Sequence, residues 1–234
     1  MDTSKKTPTT ELQWLSHWVD LSSCTKLIEL GCGSARFLQN LLTMHPQLEA
    51  WGLEVDKVQH QKNVAQAVPR LTWLEAGAQA IPSESNVFDG ALMLKSLHHV
   101  PIPDMQQALR EVARVVKPGG WLFVAEPVYA GALNEIMRLF NDEGEVRAEA
   151  IKALHQMVQD GVWEQHYHEH FEVPVAYADF SEFEQRMLRP TFVDKVLSDA
   201  LREQIRAAFE PHMTATGVHL TRPMQVWFLR KPSA

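Results

Sequence analysis

Two hydrophobic rhythms share this chain, one short and continuous, one with helical spacing. Leu27, Ile28 and Leu30 make the kind of apolar run found in a strand buried on both faces. The run stops at Gly31 and Gly33. Apolar residues return at Phe37, Leu38, Leu41 and Leu42, the spacing of one helix face. Strand, glycine turn and helix in that order let a ligand approach the backbone and aim free helix N–H groups at it. Upstream, Thr10 is placed to cap a helix over 11–20, with Leu12, Leu15 and Val19 on one side. Trp14 and Trp18 flank that side, to pack on the main sheet or to cover a ligand cleft.

Downstream the two rhythms alternate. Strands are predicted over 48–55, 71–75 and 88–94, with helices over 56–67 and 104–116. Lys117-Pro118-Gly119-Gly120 predicts a tight turn into a strand over 121–126. Such alternation predicts an α/β fold, doubly wound around a mostly parallel sheet. From Val128 the pattern changes. Residues 132–160 carry Leu133, Ile136, Met137, Phe140, Ile151, Leu154 and Val158 at helical spacing, over more length than a crossover needs. This predicts a helical cap inserted over the C-terminal edge of the sheet, with a dimer surface or plain packing as the other uses of that face. A sixth strand is expected over 177–192, a helix over 195–209 and a last strand over 221–229.

The chain's 234 residues suffice for one domain with an insertion, after a polar stretch over 1–9 that is expected to be disordered. The formal net charge is −7 and no basic run exceeds Lys5-Lys6, which argues against a nucleic-acid partner. Cys24 and Cys32 are the only cysteines and do not suggest a disulfide scaffold. Neither a membrane-spanning run nor a signal-peptide pattern is present, so a cytoplasmic protein without a membrane partner is expected.

The turn itself has two readings. A dinucleotide loop wants G-x-G-x-x-G/A, and Arg36 fills its third glycine slot, which disfavours it. The other reading is E/D-x-G-x-G-x-G, met by Glu29, Gly31, Gly33 and Ala35. Here the chain resembles the class I, Rossmann-like S-adenosylmethionine (SAM)-dependent methyltransferases. Two further blocks carry the resemblance in the right order: F-D-G-A-L-M-L-K-S-L-H-H-V from Phe88, and R-V-V-K-P-G-G-W-L-F-V-A-E-P from Arg114. The resemblance implies a seven-stranded sheet with an antiparallel final strand, and SAM as cofactor. It implies cofactor contacts from Glu29, Gly31, Cys32, Gly33 and Arg36 in the turn, and from Glu54 and Val55 at the second strand's end. Glu54 matches the family's acidic residue for the ribose hydroxyls, with Asp56 as second choice. Gly77 stands where the family often has the adenine-binding Asp, which leaves adenine to Ala78 N–H or Gln79, and Lys95 aligns beside the sulfonium.

Methyl transfer from SAM needs alignment, exclusion of water and sometimes removal of a proton, so no obvious triad is required. The candidates for base or orienting group are His98, His99, Tyr129 and His168, with Glu126 beside them. His166, His168 and His170 alternate, and on a strand three imidazoles on one side can bind a metal. SAM chemistry does not call for one, and none is expected. Arg186, Arg189 and Arg222 are candidates to orient an anionic substrate, or surface residues. The expected activity is methylation of a small organic molecule by direct in-line displacement. The alternatives are a tRNA or protein methyltransferase, a SAM-binding regulator without catalysis, and an NAD-dependent oxidoreductase.

Overall fold

A computed structural model describes residues 8–188 and 197–233. Its first helix, α1 (Glu11–Trp18), begins where Thr10 turns extended and its hydroxyl accepts the Gln13 N–H. The glycine turn joins β1 (Lys26–Leu30) to α2 (Arg36–Met44). Next come β2 (Glu49–Glu54), α3 (Lys57–Val64), β3 (Leu71–Glu75) and β4 (Phe88–Leu94). Helix α4 (Met105–Val115) leads into β5 (Val116–Pro127). The second half holds α5 (Ala132–Met137), α6 (Gly144–Gln159), β6 (Glu164–Tyr177), α7 (Phe180–Phe183) and α8 (Asp199–Phe209). A two-residue β7 (Met213–Thr214) and the long β8 (Gly217–Arg230) close the fold.

The sheet order is β3-β2-β1-β4-β5-β8-β6, with β7 beside β8. Strands β1 to β5 are parallel, and β8 runs antiparallel to both β5 and β6. From β1 the chain builds outward through β2 and β3, then crosses back to β4 on the other side. The C-terminal ends of β1 and β4 therefore flank a topological switch point, where open α/β sheets bind ligands.

Residue alternation splits the core between the two faces of the sheet. Ile28, Leu30, Met93, Val124 and Trp227 pack under α4 and α6. Leu27, Leu92, Phe123 and Phe228 pack under α1 and α2. A separate core of Leu133, Ile136, Tyr177, Phe180, Phe183 and Phe209 lies beneath the cap.

Several expectations are corrected. Lys117–Gly120 is no free turn: it is a bulge inside β5, because pairing jumps from Phe88↔Val116 to Gly90↔Trp121. Gly119 supplies φ +72° there, and Lys117 reaches Asp89 Oδ1 at 2.5 Å. The sixth strand is Glu164–Tyr177, not 177–192; Phe180–Phe183 is helical and Glu184–Leu188 a π-turn. The main sheet path has the seven strands expected, and β7 adds an eighth. The expected disorder over 1–9 falls mostly outside the described residues, as do Arg189 and the start of the 195–209 helix. Trp14 and Trp18 pack on the sheet, with Trp18 stacked on Tyr167 and Trp14 tilted against Phe171. No helix among the described residues is long and apolar enough to cross a membrane.

Candidate active site at the switch point

The glycine turn is held in a left-handed shape at three points, with φ +68° at Gly31, +52° at Gly33 and +50° at Ala35. At Gly31 this is enforced from outside as well, since a Cβ would stand 2.7 Å from Ser96 Cβ. Ser96, just past β4, donates its hydroxyl to Leu30 O at 2.7 Å and so ties the two strand ends together. Cys32 N–H donates to Leu53 O at 2.9 Å. Glu54 Oε2 accepts Gly33 N–H at 2.8 Å, and its Oε1 accepts Asp56 N–H at 2.9 Å. Fully buried Asn63 donates to Gly33 O at 2.6 Å and accepts from Gln59. Asp56 spends its own side chain on capping α3.

Glu29 is 3% exposed, and its Oε2 has no hydrogen-bond partner. Burial pushes its pKa up to about 8, against the pull of Lys95 and with the push of Glu54. The same burial, with Glu29 and Glu54 beside it, raises the Cys32 thiol and keeps it protonated and inert. Lys95 adopts φ +58° and pairs with Glu11 Oε1 at 2.7 Å, so the N-terminus of α1 reaches the same cleft. Burial works against ionised Glu11, but Lys95 and Arg222 hold its carboxyl below the ordinary value.

An orphaned, buried carboxylate oxygen beside a backbone that no side chain can enter suits a ligand with an ammonium group, as the methionine end of SAM has. At the expected adenine side, Gln79 folds back over Gly77, and a Cβ on Gly77 would meet Gln79 Oε1 at 2.4 Å. Gln79 thus fills the space that the family's Asp side chain would take. Ala78 is buried, while Val55 is 64% exposed next to Glu54. Arg36 is exposed on the first turn of α2.

At the end of β4 a second group assembles. His98, with a side chain 3% exposed, directs Nδ1 at Glu126 Oε2 through a short hydrogen bond. The other Glu126 oxygen accepts the Ser96 and Leu97 N–H groups at 3.2 and 2.9 Å. His98 Nε2 faces Glu143 Oε2 at 3.8 Å. Burial disfavours the Glu143 carboxylate, yet Arg147, bonded to it at 2.5 Å, and the neighbouring His98 hold its pKa below the ordinary value. His99 lies against the His98 ring at 4.1 Å between centroids, and burial together with His98 lowers its pKa. Ligand atoms of His98, His99 and Glu143 lie within 4.8 Å of one another. Arg147 already occupies the Glu143 oxygen, which makes this a neutralised polar network.

The remaining candidates stand apart. Tyr129 is 38% exposed and donates to Asp142 at 2.8 Å. His168 stacks on Trp227 with centroids 3.9 Å apart, in register with Val124 and three positions short of Pro127, where β5 ends. A register shift at His166 breaks the alternation. The His166 ring lies by Phe228, a residue of the opposite sheet face from Trp227, so the three histidines do not converge. Arg186 bonds Glu182 and Ala176 O, away from the switch point.

The sequence reading missed Asn63, Ser96, Glu11, Asn134, Glu143 and Arg147. Ser96 had a signal, its place within the block ending in Leu97-His98-His99. Asn63 had none, because it sits on a largely polar helix whose two apolar residues, Val58 and Val64, are exposed.

Residues 28–124 match the family described as "Methyltransferase domain". The O-methyltransferase rstn1 of Aspergillus nomiae is 28% identical over 141 residues, 57% of this chain and 55% of that protein. The chain spans about half the length of the curated relatives it matches. Among solved structures, YcgJ of Bacillus subtilis superposes with a TM-score of 0.66 at 16% identity, covering 94% of this chain and 98% of that one. The [4+2]-cyclase SpnF gives 0.63 at 19% identity, covering 94% of this chain and 79% of that one, so the shared fold does not by itself set a reaction. Joined to a glycine turn built as described, these matches show a methyltransferase domain over residues 28–124, set in the α/β fold that solved SAM-dependent methyltransferases share.

Proposed function

We propose that the protein methylates a small organic molecule at a group that loses a proton, with His98 as the base. The observation that carries this reading is the buried His98–Glu126 pair, set on the same Ser96-Leu97 backbone that packs against Gly31. When bound, SAM supplies a methyl group on a positively charged sulfur, open to in-line attack. Gly31 and Gly33 leave room for its methionine part against backbone, and Glu29 answers its ammonium. Glu54 has lone pairs left for ribose hydroxyls beyond its two backbone bonds. Gln79 and the Ala78 N–H face the adenine; Val55, Cys32, Arg36 and Lys95 complete the rim.

His98 gives its Nδ1–H to Glu126, which leaves Nε2 to take a proton from the acceptor. The imidazolium that forms lies between Glu126, which also accepts the Ser96 and Leu97 N–H groups, and Glu143, whose carboxylate Arg147 favours. That arrangement lets the proton leave the nucleophile without a charged group meeting water. Two relatives are named for ubiquinone or ubiquinone/menaquinone biosynthesis, one an O-methyltransferase and one a C-methyltransferase, which supports a small-molecule substrate.

A screen with tritiated SAM over phenols, enols and hydroxy acids tests the reading. His98→Gln should keep S-adenosylhomocysteine affinity while transfer falls about 10²- to 10⁴-fold. Full activity in His98→Gln, or label passing only to tRNA or protein, would discard it.

A further inference from the structure

Past Glu126, strand β5 runs into a narrow cleft between the starts of α5 and α6 and the first half of β8. Three polar side chains line it, Asn134, Arg147 and Arg222, among apolar walls that include Val128, Leu133 and Pro223. Asn134 is 7% exposed. Its Oδ1 accepts from Arg147 Nη1 at 3.1 Å, and because a guanidinium can only donate, this fixes which way the amide points. Asn134 Nδ2 is left buried with no acceptor. A buried donor left without an acceptor is costly, so its retention asks for a partner that is not part of the protein.

Arg222 adds charge to that donor. It is half-buried, and among the described residues it makes no ion pair or side-chain hydrogen bond. Glu11, whose carboxyl it helps to hold down, is already paired with Lys95 at 2.7 Å. Arg147, by contrast, is neutralised by Glu143. Among the polar side chains of the cleft, the free capacity is that of donors, Asn134 Nδ2 and Arg222, and one positive charge has no partner. Its free volume of about 10 Å³ admits a single water-sized group, an oxygen rather than a ring.

We infer that this cleft receives an anionic oxygen of the substrate, a carboxylate or a group of the same charge and size, on Asn134, Arg147 and Arg222. The inference rests on the methyltransferase reading for the other end of that substrate. The geometry links the two ends: Asn134 bonds Arg147, Arg147 bonds Glu143, and Glu143 faces His98. An acid anchored in the cleft would lie along the C-terminal edge of the sheet with its reacting group toward His98. A neutral hydroxyl could satisfy Asn134 but would leave Arg222 without its counter-charge, so the site favours acids over their amides and esters.

Sodium formate is the smallest probe of this chemistry. The protein, loaded with S-adenosylhomocysteine, is titrated with formate against sodium chloride at constant ionic strength, while amide resonances of residues 128–134 are followed by NMR. Saturable shifts with formate are expected, at least about tenfold weaker in Arg222→Gln. Asn134→Asp, which puts a carboxylate in the cleft itself, should remove them while its backbone spectrum stays that of a folded chain. No response beyond that to chloride overturns the inference, as does an affinity unchanged in Arg222→Gln. Calorimetry with S-adenosylhomocysteine on the same samples separates the failures. Intact binding without a formate response sinks the anion site alone, whereas absent binding sinks the methyltransferase reading.

Discussion

At the scale of the residue, Glu29 carries the most information per atom. Its folded pKa is about 8 against an ordinary 4.5. The folded chain therefore holds a proton that the unfolded chain has released across that window. Stability associated with neutral Glu29 is full below pH 4.5 and is lost as pH rises toward 8. Glu29→Gln copies the neutral form, so the ligand-free variant should gain on the wild type through this window, by a few kcal/mol (order of magnitude) at its top. Urea melts at pH 5 and pH 8 check it, and a constant difference between the two would refute the assignment. An ammonium placed beside Glu29 reverses the balance and expels the proton. SAM binding at pH 7 should then release protons, seen as a binding enthalpy that differs between phosphate and Tris buffers. Gly31 makes a second residue-scale case. Gly31→Ala meets Ser96 Cβ at 2.7 Å and keeps φ at +68°. It should cost about 1–3 kcal/mol and abolish S-adenosylhomocysteine binding. Adding Ser96→Gly removes the contact but not the strain, so only part of the stability should return.

At the scale of the element, α1 joins two jobs that the sequence presents as alternatives. Trp14 and Trp18 dock it on the sheet face with Phe123, Phe171 and Phe228, while Glu11 at its other end reaches Lys95 in the cleft. Replacing both tryptophans by alanine should free α1 without unfolding β1 or β4. Hydrogen exchange should then rise in α1 and stay slow in the strands, and S-adenosylhomocysteine should dissociate faster. An unchanged dissociation rate would show that α1 is scaffold only. How well each element could be read depended on where its signal goes. Strand β4 follows its apolar run residue for residue, because a strand buried on both faces leaves nothing else for such a run to do. Strand β6 is an edge strand whose outer half, from Glu164 to His170, is polar and largely exposed, so it looks like a loop. The apolar residues after it, Phe180 and Phe183, serve the cap's own core and drew the expected strand some thirteen residues too far along. The cofactor turn was legible because glycine has a backbone reason to be there. The His98–Glu126–Glu143–Arg147 network was not, since its members come from three separate stretches and no local pattern pairs them.

At the scale of the molecule, the question is whether sheet and cap unfold together. The cap has its own core, which on its own would allow it to melt first. The strands argue otherwise. β6 and β8 pair in register from Glu164↔Arg230 to Tyr177↔Val218, one uninterrupted ladder apart from the shift at His166. The Trp227 end of that ladder belongs to the main core and the Tyr177 end to the cap. Losing the cap would strip the partners of Tyr177 and Val218 while their strands stayed bound at the other end, exposing a two-stranded ribbon with an apolar face. That intermediate gains chain entropy over only part of the chain and loses most of the cap's buried area. We therefore expect one cooperative transition by calorimetry and by tryptophan fluorescence alike. S-adenosylhomocysteine at about 100 times its Kd should move the whole transition up by about 2.7 kcal/mol, even though the proposed site lies at the sheet edge alone. Two transitions, with only one answering to the ligand, would mean that the ladder does not couple the cores. The cap could then open to admit substrate while the cofactor half stays folded.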